Sequence, residues 1–227
     1  MIKSIKVRLS PNNKQLTKLF QYADCARFAY NWAIAREQEN YKQGNKFLSD
    51  NDLRKEFTQL KKLPEYQWLS KVSNNVTKQA IKDACNSYKR FFKRQSKYPK
   101  FKSKKRSTPS FYQDNLKIRF TDTHVKVEGF SMGKKQNKQK LNWIKLCEKG
   151  RIPIDCKYMN PRFTYDGLYW YVSVSIEVDN NVNLPSNDGI GIDLVIKDLA
   201  ICSDNNTYKN INKTQTVKKL EKRKRRL

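Results

Sequence analysis

Clustered positive charge is the feature that most constrains this chain. Its 227 residues carry 48 lysines and arginines against 21 acidic residues, a formal net charge of +27. No acidic residue occurs between Asp83 and Asp114, while ten lysines and arginines lie within residues 89–106. Such charge opposes compaction unless a polyanion neutralises it. The pattern therefore favours nucleic acid as the partner over an anionic membrane, because the basic segments lack the wide apolar face of an interfacial helix.

The cysteines and the single histidine argue against several kinds of site. Five cysteines occur without a C-x-x-C pair, which argues against a zinc ribbon and a disulfide framework: Cys25, Cys85, Cys147, Cys156 and Cys202. His124 is the only histidine, so Ser-His-Asp chemistry is disfavoured and we expect His124 to be structural.

With no secretory segment and no apolar run near the roughly 20 residues of a membrane span, we expect a cytoplasmic, nucleoid-associated protein. Its partners would include no membrane and no small-molecule substrate.

Hydrophobic periodicity predicts a strand followed by a helical unit. Residues 5–9 alternate apolar and basic side chains, as a half-exposed strand does. Apolar residues then recur at helical spacing from residue 10 to 41, with Ser10 as N-cap and Pro11 at the first helical position. Two further helical patterns cover 49–63 and 73–94. We therefore expect a bundle of three or four helices over residues 11–94.

The following region reads as a loop and then a small antiparallel sheet or barrel. Residues 93–107 lack periodicity and predict a loop, and Asp166-Gly167 predicts a two-residue hairpin turn before residues 169–178. Short strand-like stretches cover 116–120, 124–128, 143–146 and 162–165. If strand 5–9 completes this sheet, the helices form an insertion within a β unit, which makes the chain α+β. Residues 180–188 have the composition of a linker.

One carboxylate, Asp193, stands inside the apolar run 189–202. A buried, unpaired carboxylate costs several kcal/mol or gives up its charge. In nucleases of RNase H type, an Asp on the first strand helps to hold two divalent metals about 4 Å apart. The nearby Asp188, Asp198 and Asp204 are not placed as a convincing second ligand, so a strand-end or partly exposed Asp193 remains an open alternative. Two strands with the basic helix of 216–227 cannot bury a face alone.

The run at 89–106 is the candidate phosphate-binding surface. Its cations would contact backbone phosphates: Lys89, Arg90, Lys93, Arg94, Lys97, Lys100, Lys102, Lys104, Lys105 and Arg106. Among its aromatics, Phe92 continues the helix face and is expected in the core, whereas Tyr98 and Phe101 could stack on unpaired bases. The alternative is a solvated helix end with core aromatics. Basic stretches at 134–140 and 218–226 are further candidates for phosphate contact, with ordinary charged surface as the alternative.

Four stretches together resemble the transposon-encoded OrfB/TnpB proteins, relatives of the type V CRISPR effectors. They are CARFAYNWAIA (25–35), YPKFKSKK (98–105), YWYVSVSIEV (169–178) and GIDLVIKDLAICSD (191–204). The resemblance implies an RNA-guided DNA endonuclease acting in DNA transposition and recombination, with a guide RNA and a target DNA as partners. Target choice would combine RNA–DNA pairing with a short adjacent motif read by protein.

The resemblance also implies an architecture and a site. A β-barrel wedge domain (1–10 plus 95–180) would enclose a helical recognition insertion (11–94), followed by the start of a RuvC-like nuclease domain of RNase H type (188–227). Asp193 would be the first catalytic, metal-binding Asp, for Mg²⁺. Asn75 and Lys78, on the early turns of the helix at 73–94, would contact the adjacent DNA motif.

The chain departs from the family pattern in two respects. Val195 stands where the motif usually has Gly, and a branched side chain there would crowd the site. The later nuclease carboxylates and the four-cysteine zinc site of the family are not in this chain. We therefore expect a C-terminally truncated TnpB-like protein that binds nucleic acid and does not cut DNA alone. The alternatives are an RNA- or DNA-binding regulator or repressor, and a nuclease completed by a separate C-terminal fragment.

Overall fold

The computed structural model describes residues 1–130, 141–154, 156–178 and 189–226. The chain divides into two compact units, Met1–Asp179 and Asn180–Leu227. The helices are α1 (Asn13–Lys42), α2 (Asp50–Leu60), α3 (Asn74–Phe92) and α4 (Gln215–Lys224), with 3₁₀ helices at Pro64–Lys71 and Ile211–Lys213. The strands are β1 (Ile2–Ser10), β2 (Ser110–Tyr112), β3 (Arg119–Phe120), β4 (His124–Lys126), β5 (Trp143–Leu146), β6 (Tyr158–Tyr165), β7 (Trp170–Glu177), β8 (Ile192–Asp193), β9 (Asp198–Cys202) and β10 (Thr207–Lys209).

Strand β1 lies inside an antiparallel seven-stranded sheet of order β2-β6-β7-β1-β5-β4-β3. Its alternate residues Ile5, Val7 and Leu9 are buried, and Ile5 and Val7 lie opposite Val174 and Val172 of β7. The expectation that the first strand completes the later sheet is therefore confirmed, and the fold is mixed α+β. The expected barrel is not confirmed, because these seven described strands form an open sheet.

The hairpin between β6 and β7 turns through four residues, so the expected two-residue turn was wrong. Tyr165 pairs with Trp170, and the Asp166 carboxylate accepts hydrogen bonds from the N–H groups of Leu168 and Tyr169 at 2.8 and 2.7 Å. Gly167 supplies the positive φ of +109° that such a turn needs. An aspartate that bonds its own backbone favours the longer loop.

Helix α1 begins two residues later than expected, since Asn12 rather than Ser10 is its N-cap. The Asn12 side chain accepts from the Gln15 N–H at 2.9 Å, and the Gln15 side chain accepts from the Asn12 N–H at 3.0 Å. This reciprocal capping box satisfies two N–H groups that would otherwise lack partners. Ser10 is instead the last residue of β1, where it lies opposite Lys145.

The three long helices occur in sequence between β1 and β2, and α1 shares the core of the sheet. The Phe20 ring meets the Trp170 ring edge-on at 5.2 Å. The buried Tyr22 hydroxyl donates to the Glu128 carbonyl at 2.7 Å, and a Cβ on Gly129 would lie 2.4 Å from that hydroxyl. Only glycine therefore fits at position 129, where the chain passes α1. The positive φ of +78° at this residue also favours glycine.

An ion pair fixes α3 against the sheet. Arg162 on β6 donates two hydrogen bonds to the Asp83 carboxylate, at 2.9 and 3.1 Å. Both side chains are about one-quarter to one-third exposed. Two parallel bonds between guanidinium and carboxylate restrict orientation as well as distance. Sequence periodicity gave no indication of this pair.

The second unit forms a small antiparallel sheet of order β10-β9-β8. Strand β8 has two residues, and most apolar side chains around it are exposed, including Ile192 (63%) and Leu194 (76%). The expectation that these strands cannot bury an apolar face by themselves is confirmed for the described residues. Among the helices that the structure describes, none combines the length and apolarity needed to cross a bilayer.

Helix α1 buries one carboxylate, that of Glu37, which is 4% exposed. Burial raises its pKa to about 7, although the Leu48 N–H and Arg36 oppose the rise. Glu56 on α2 adds to it. The native state therefore binds a proton more tightly than the unfolded chain, and this contribution to stability is lost as the pH rises from about 4.5 to about 7.

Glu37→Gln should remove this pH dependence, because the amide keeps the shape of the side chain without a charge to bury. We expect the unfolding free energy of the variant to gain roughly 3 kcal/mol relative to the native chain between pH 5 and pH 8. Urea unfolding of both proteins at the two pH values measures this difference. Parallel pH profiles for the two proteins would contradict the assignment.

Candidate nucleic-acid interface

The C-terminal end of α3 presents three of the predicted phosphate-binding cations to solvent. Lys89, Arg90 and Lys93 are exposed and line a cavity of about 530 Å³ together with Asn86 and Gln95. Cations near a helix C-terminus are favoured by the helix dipole. This cluster can therefore be held in place by the helix while its charged ends remain free to bind phosphate.

The chain leaves α3 through a left-handed turn at Arg94, whose φ is +57°. Its N–H donates to the Phe91 carbonyl at 2.8 Å, and the Gln95 N–H donates to the Arg90 carbonyl at 2.9 Å. This pair of bonds is the Schellman arrangement that ends helices. It directs the basic segment 93–109, which contains no helix or strand, away from the helix axis.

Helix α1 holds that segment through Asn31. The Asn31 amide donates to the Lys102 carbonyl at 2.9 Å and accepts from the Lys102 N–H at 2.8 Å. Five of the predicted cations remain exposed on the segment beyond Arg94: Lys97, Lys100, Lys104, Lys105 and Arg106. A loop that would otherwise be mobile thus has its basic side chains positioned by a rigid helix.

Lys102 differs from the other cations of the segment, because its side chain turns inward. Its ammonium lies over the Tyr30 ring, 4.1 Å from the centroid, and burial lowers its pKa. Desolvation disfavours the charged form, and the aromatic face compensates in part. The geometry gives Lys102 a packing role, and the exposed cations around it are better placed to contact phosphate.

The division of the aromatic residues of this region into exposed and buried side chains differs from the prediction. Phe101 is 53% exposed and Tyr98 is 47% exposed, as a base-stacking role requires. Phe92 was expected in the core but is 60% exposed. The buried residues of α3 end at Tyr88, so Phe92 lies beyond the buried part of the helix face.

Phe101 borders an aromatic groove that sequence reasoning missed. The cavity, of about 740 Å³, lies along α1 and the 3₁₀ helix and is lined by Phe28, Trp32, Trp68 and Arg27, among others. Phe28 and Trp68 meet edge-on at 5.2 Å. Their contact joins residues forty positions apart in the sequence, so no local pattern could indicate it.

Asn75 and Lys78 lie at the start of α3, apart in sequence from the basic segment. The Asn75 N–H faces the capping Ser73 hydroxyl at 3.4 Å, and Lys78 is exposed. Lys78 lines a cavity of about 200 Å³ with Arg54 and Lys61. The α3 start therefore carries a second group of cations, to which α2 contributes.

Asp193 does not lie in an apolar interior. It is an exposed residue at the end of the two-residue strand β8, in agreement with the strand-end alternative. Asp198 begins β9, and the Asp204 carboxylate accepts a hydrogen bond from the N–H of Asn206 at 3.1 Å, within the turn after β9. Asp188 and the basic stretch 134–140 fall outside the described residues.

The described residues do not fit a two-metal site. Within them, no three His, Cys, Asp or Glu side chains converge closely enough to hold a metal ion. The cysteines are all unpaired. Mg²⁺ requires several oxygen ligands in octahedral geometry, and among the described residues no group of carboxylates converges beside Asp193 to supply them.

The chain is similar to one family model and to curated proteins described as RNA-guided DNA endonucleases. The family model HTH_OrfB_IS605, a helix-turn-helix domain, matches residues 1–46, which fold here as strand β1 and the long helix α1. InsQ of Escherichia coli (strain K12), described as an RNA-guided DNA endonuclease, is 25% identical over the whole chain and 54% of its own length. A Streptomyces pristinaespiralis protein with the same description is 24% identical over 88% of the chain and 48% of its own length.

The chain spans about half the length of these curated relatives. A cryo-EM structure of a Cas12f1–sgRNA–target DNA complex aligns with 99% of this chain and 61% of the matched chain, at 14% identity and a TM-score of 0.45.

Asn31→Ala should release the basic segment without unfolding the protein. Loss of two hydrogen bonds, each worth about 1 kcal/mol, should raise the rate of tryptic cleavage after Lys97 and Lys100 on the order of tenfold. Mass spectrometry of timed digests measures these sites separately. Asn86→Ala, an exposed asparagine on α3, is the matched control, and equal cleavage rates in all three proteins would show that Asn31 does not hold the segment.

Proposed function

We propose that the chain is a member of the OrfB/TnpB family of transposon-encoded proteins, and that it binds a guide RNA and the target DNA selected by that RNA. The observation that carries the proposal is the exposed basic surface formed by the end of α3 and the segment after it. The two curated relatives above are described as RNA-guided DNA endonucleases, which supports the same partners for this chain.

The roles of the residues follow from their placement. Lys89, Arg90 and Lys93, with the exposed cations of 97–106, neutralise phosphates independently of sequence. Phe101 and Tyr98 stack on unpaired bases. We assign Asn75 and Lys78 to the DNA motif beside the target, because their end of α3 carries a separate group of cations. The sheet of the first unit would serve as the wedge domain between RNA and DNA.

A polypeptide of these 227 residues binds without cutting. In the RuvC-like interpretation of the second unit, Asp193 would be a single ligand for Mg²⁺. The described residues supply no converging partners. A two-metal mechanism needs ions on both sides of the scissile phosphate, so binding and cleavage are separable in this chain.

The salt dependence of RNA binding tests the phosphate surface. Each phosphate contact to a single strand contributes about −0.7 to the slope of log K against log salt, so replacing Lys89, Arg90 and Lys93 with Gln should flatten the slope by roughly 2. Fluorescence anisotropy with a transcript that co-purifies with the protein gives both slopes.

The control removes the same charge from other exposed sites. Lys3, Lys149 and Lys157 are exposed residues of the sheet and its connections, and changing them to Gln should leave the slope nearly unchanged. An equal effect of the two triple variants would indicate a uniformly charged surface and contradict the proposed interface.

A cleavage assay tests the separation of binding from cutting. Purified protein with its co-purified RNA, matching target DNA and Mg²⁺ should retain the DNA without cleaving it, and Asp193→Ala should behave identically. Cleavage that disappears in Asp193→Ala would refute the proposal. Cleavage that appears only after addition of a separate C-terminal fragment would identify a nuclease assembled from two chains.

A further inference from the structure

Another cavity, of about 450 Å³, lies between α1, α3 and the α1–α2 connection. Its walls are largely aromatic, with Phe47, Tyr88, Phe92 and Tyr98 contributing rings. The Phe47 and Phe92 rings are perpendicular, 5.7 Å apart, and Tyr88 is nearly parallel to Phe92 at 6.2 Å. Phe92 and Tyr98 are both about half exposed, so the cavity is open to a planar ligand along that edge.

Glu37 lines this cavity, and its side chain is buried in the wall, with 4% of the residue exposed. Its Oε2 accepts one long hydrogen bond from the Leu48 N–H at 3.4 Å. Its Oε1 is buried and has no hydrogen-bond partner. Arg36, the neighbouring cation, is directed to Glu56, with its Nε 2.7 Å from that carboxylate. A buried oxygen without a donor costs free energy, so the arrangement suits a ligand that brings donors into the cavity.

The chemistry of the cavity selects among planar ligands. Above about pH 7 the Glu37 carboxylate is ionised, and an ionised carboxylate only accepts hydrogen bonds and can accept two in parallel. Among the nucleobases, guanine alone presents two adjacent donors, N1–H and the N2 amino group, on its Watson–Crick edge. Adenine and cytosine place an acceptor beside their single donor group, and uracil places acceptors on both sides of its N3–H.

The surroundings of the cavity favour a nucleotide over a small cation. The exposed Lys89, Lys93 and Lys97 follow or interleave with the aromatic residues of its rim in the sequence. These cations can bind the phosphates flanking a base, and the net charge of +27 repels a cationic ligand. Aromatic rings tolerate any base, whereas the carboxylate distinguishes one base from the others.

We propose that this cavity binds an unpaired guanine of single-stranded nucleic acid, stacked on the exposed rings and read on its Watson–Crick edge by Glu37. The inference deepens the proposed function and rests on it, since it assigns one base-specific contact to an otherwise sequence-neutral surface. Guanine in the guide RNA and guanine in an unwound DNA strand have the same edge, and an experiment can separate these two sources.

The test uses the full chain and uridine tracts with one central nucleotide varied. Guanosine at that position should bind on the order of tenfold more tightly than adenosine. Inosine lacks the N2 amino group and should lose most of the difference. Parallel deoxyuridine tracts with a central deoxyguanosine show whether RNA or DNA is preferred.

Glu37→Gln should abolish the guanosine preference while retaining the affinity for the uridine tract. The amide group of Gln places an N–H donor opposite the donors of guanine, which removes the preference. The variant should remain folded, because the change removes a buried charge. Glu39→Gln, two residues away on the same helix with its side chain 67% exposed, is the matched control and should retain the preference.

The possible failures are distinguishable. Equal affinity for guanosine and adenosine tracts, with normal salt-sensitive binding, would refute the guanine site alone. If Glu37→Gln and Glu39→Gln both lost the guanosine preference, the assignment of base recognition to Glu37 would also be refuted. Saturable binding of tetramethylammonium without binding of guanosine monophosphate would identify a cation site instead. Absence of binding to every oligonucleotide would refute the proposed function together with the guanine site.

Discussion

The structure of the first unit depends on the central position of β1 in its sheet. Nine residues near the start of the chain, Ile2–Ser10, pair with β7 and β5, more than 130 residues later, and the Ser4 and Ser175 hydroxyls meet at 2.8 Å. Everything between must leave the sheet and return to it. The chain returns from α3 to the sheet through the basic segment, so the pairing of β1 with later strands places the cations of that segment at one end of the helical region.

The positive charge and the packed core occupy different parts of each element. Strand β1 alternates exposed cations with buried aliphatics, and α3 buries a face up to Tyr88 before it presents Lys89 and Arg90. Two links hold the charged segment and its helix in place: Asn31 to Lys102, and Asp83 to Arg162. Asn31 bonds to the backbone of Lys102, and Asp83 neutralises only Arg162. The other cations of the segment are therefore free to bind phosphate. Affinity for a polyanion then needs little reorganisation of the protein.

Local patterns in the sequence predicted the elements well and their partners poorly. The three helices, the strand at 143–146 and the inclusion of the first strand in the later sheet follow from periodicity. The N-cap at Ser10 was wrong because the capping box of Asn12 and Gln15 is stronger than an isolated serine. The contact between Phe28 and Trp68 in the aromatic groove and the Asp83–Arg162 pair could not be predicted, since each joins residues forty or more positions apart. The cations of 89–106 were predictable as a group, but which of them turns inward was not.

The two notable carboxylates show why hydrophobic context is a poor guide to burial. Asp193 is flanked by isoleucine and leucine, yet it is exposed because the short strands around it have nothing described to cover them. Glu37 lies between Arg36 and Gln38 in a polar stretch, yet it is 4% exposed because α1 turns that face toward Phe47 and Tyr88. The burial of a side chain depends on what packs against its helix or strand, and the identity of its sequence neighbours does not indicate this. A carboxylate that a fold keeps buried and half-satisfied, at a cost in stability above neutral pH, is better explained by a ligand than by packing, since glutamine would fill the same space without that cost.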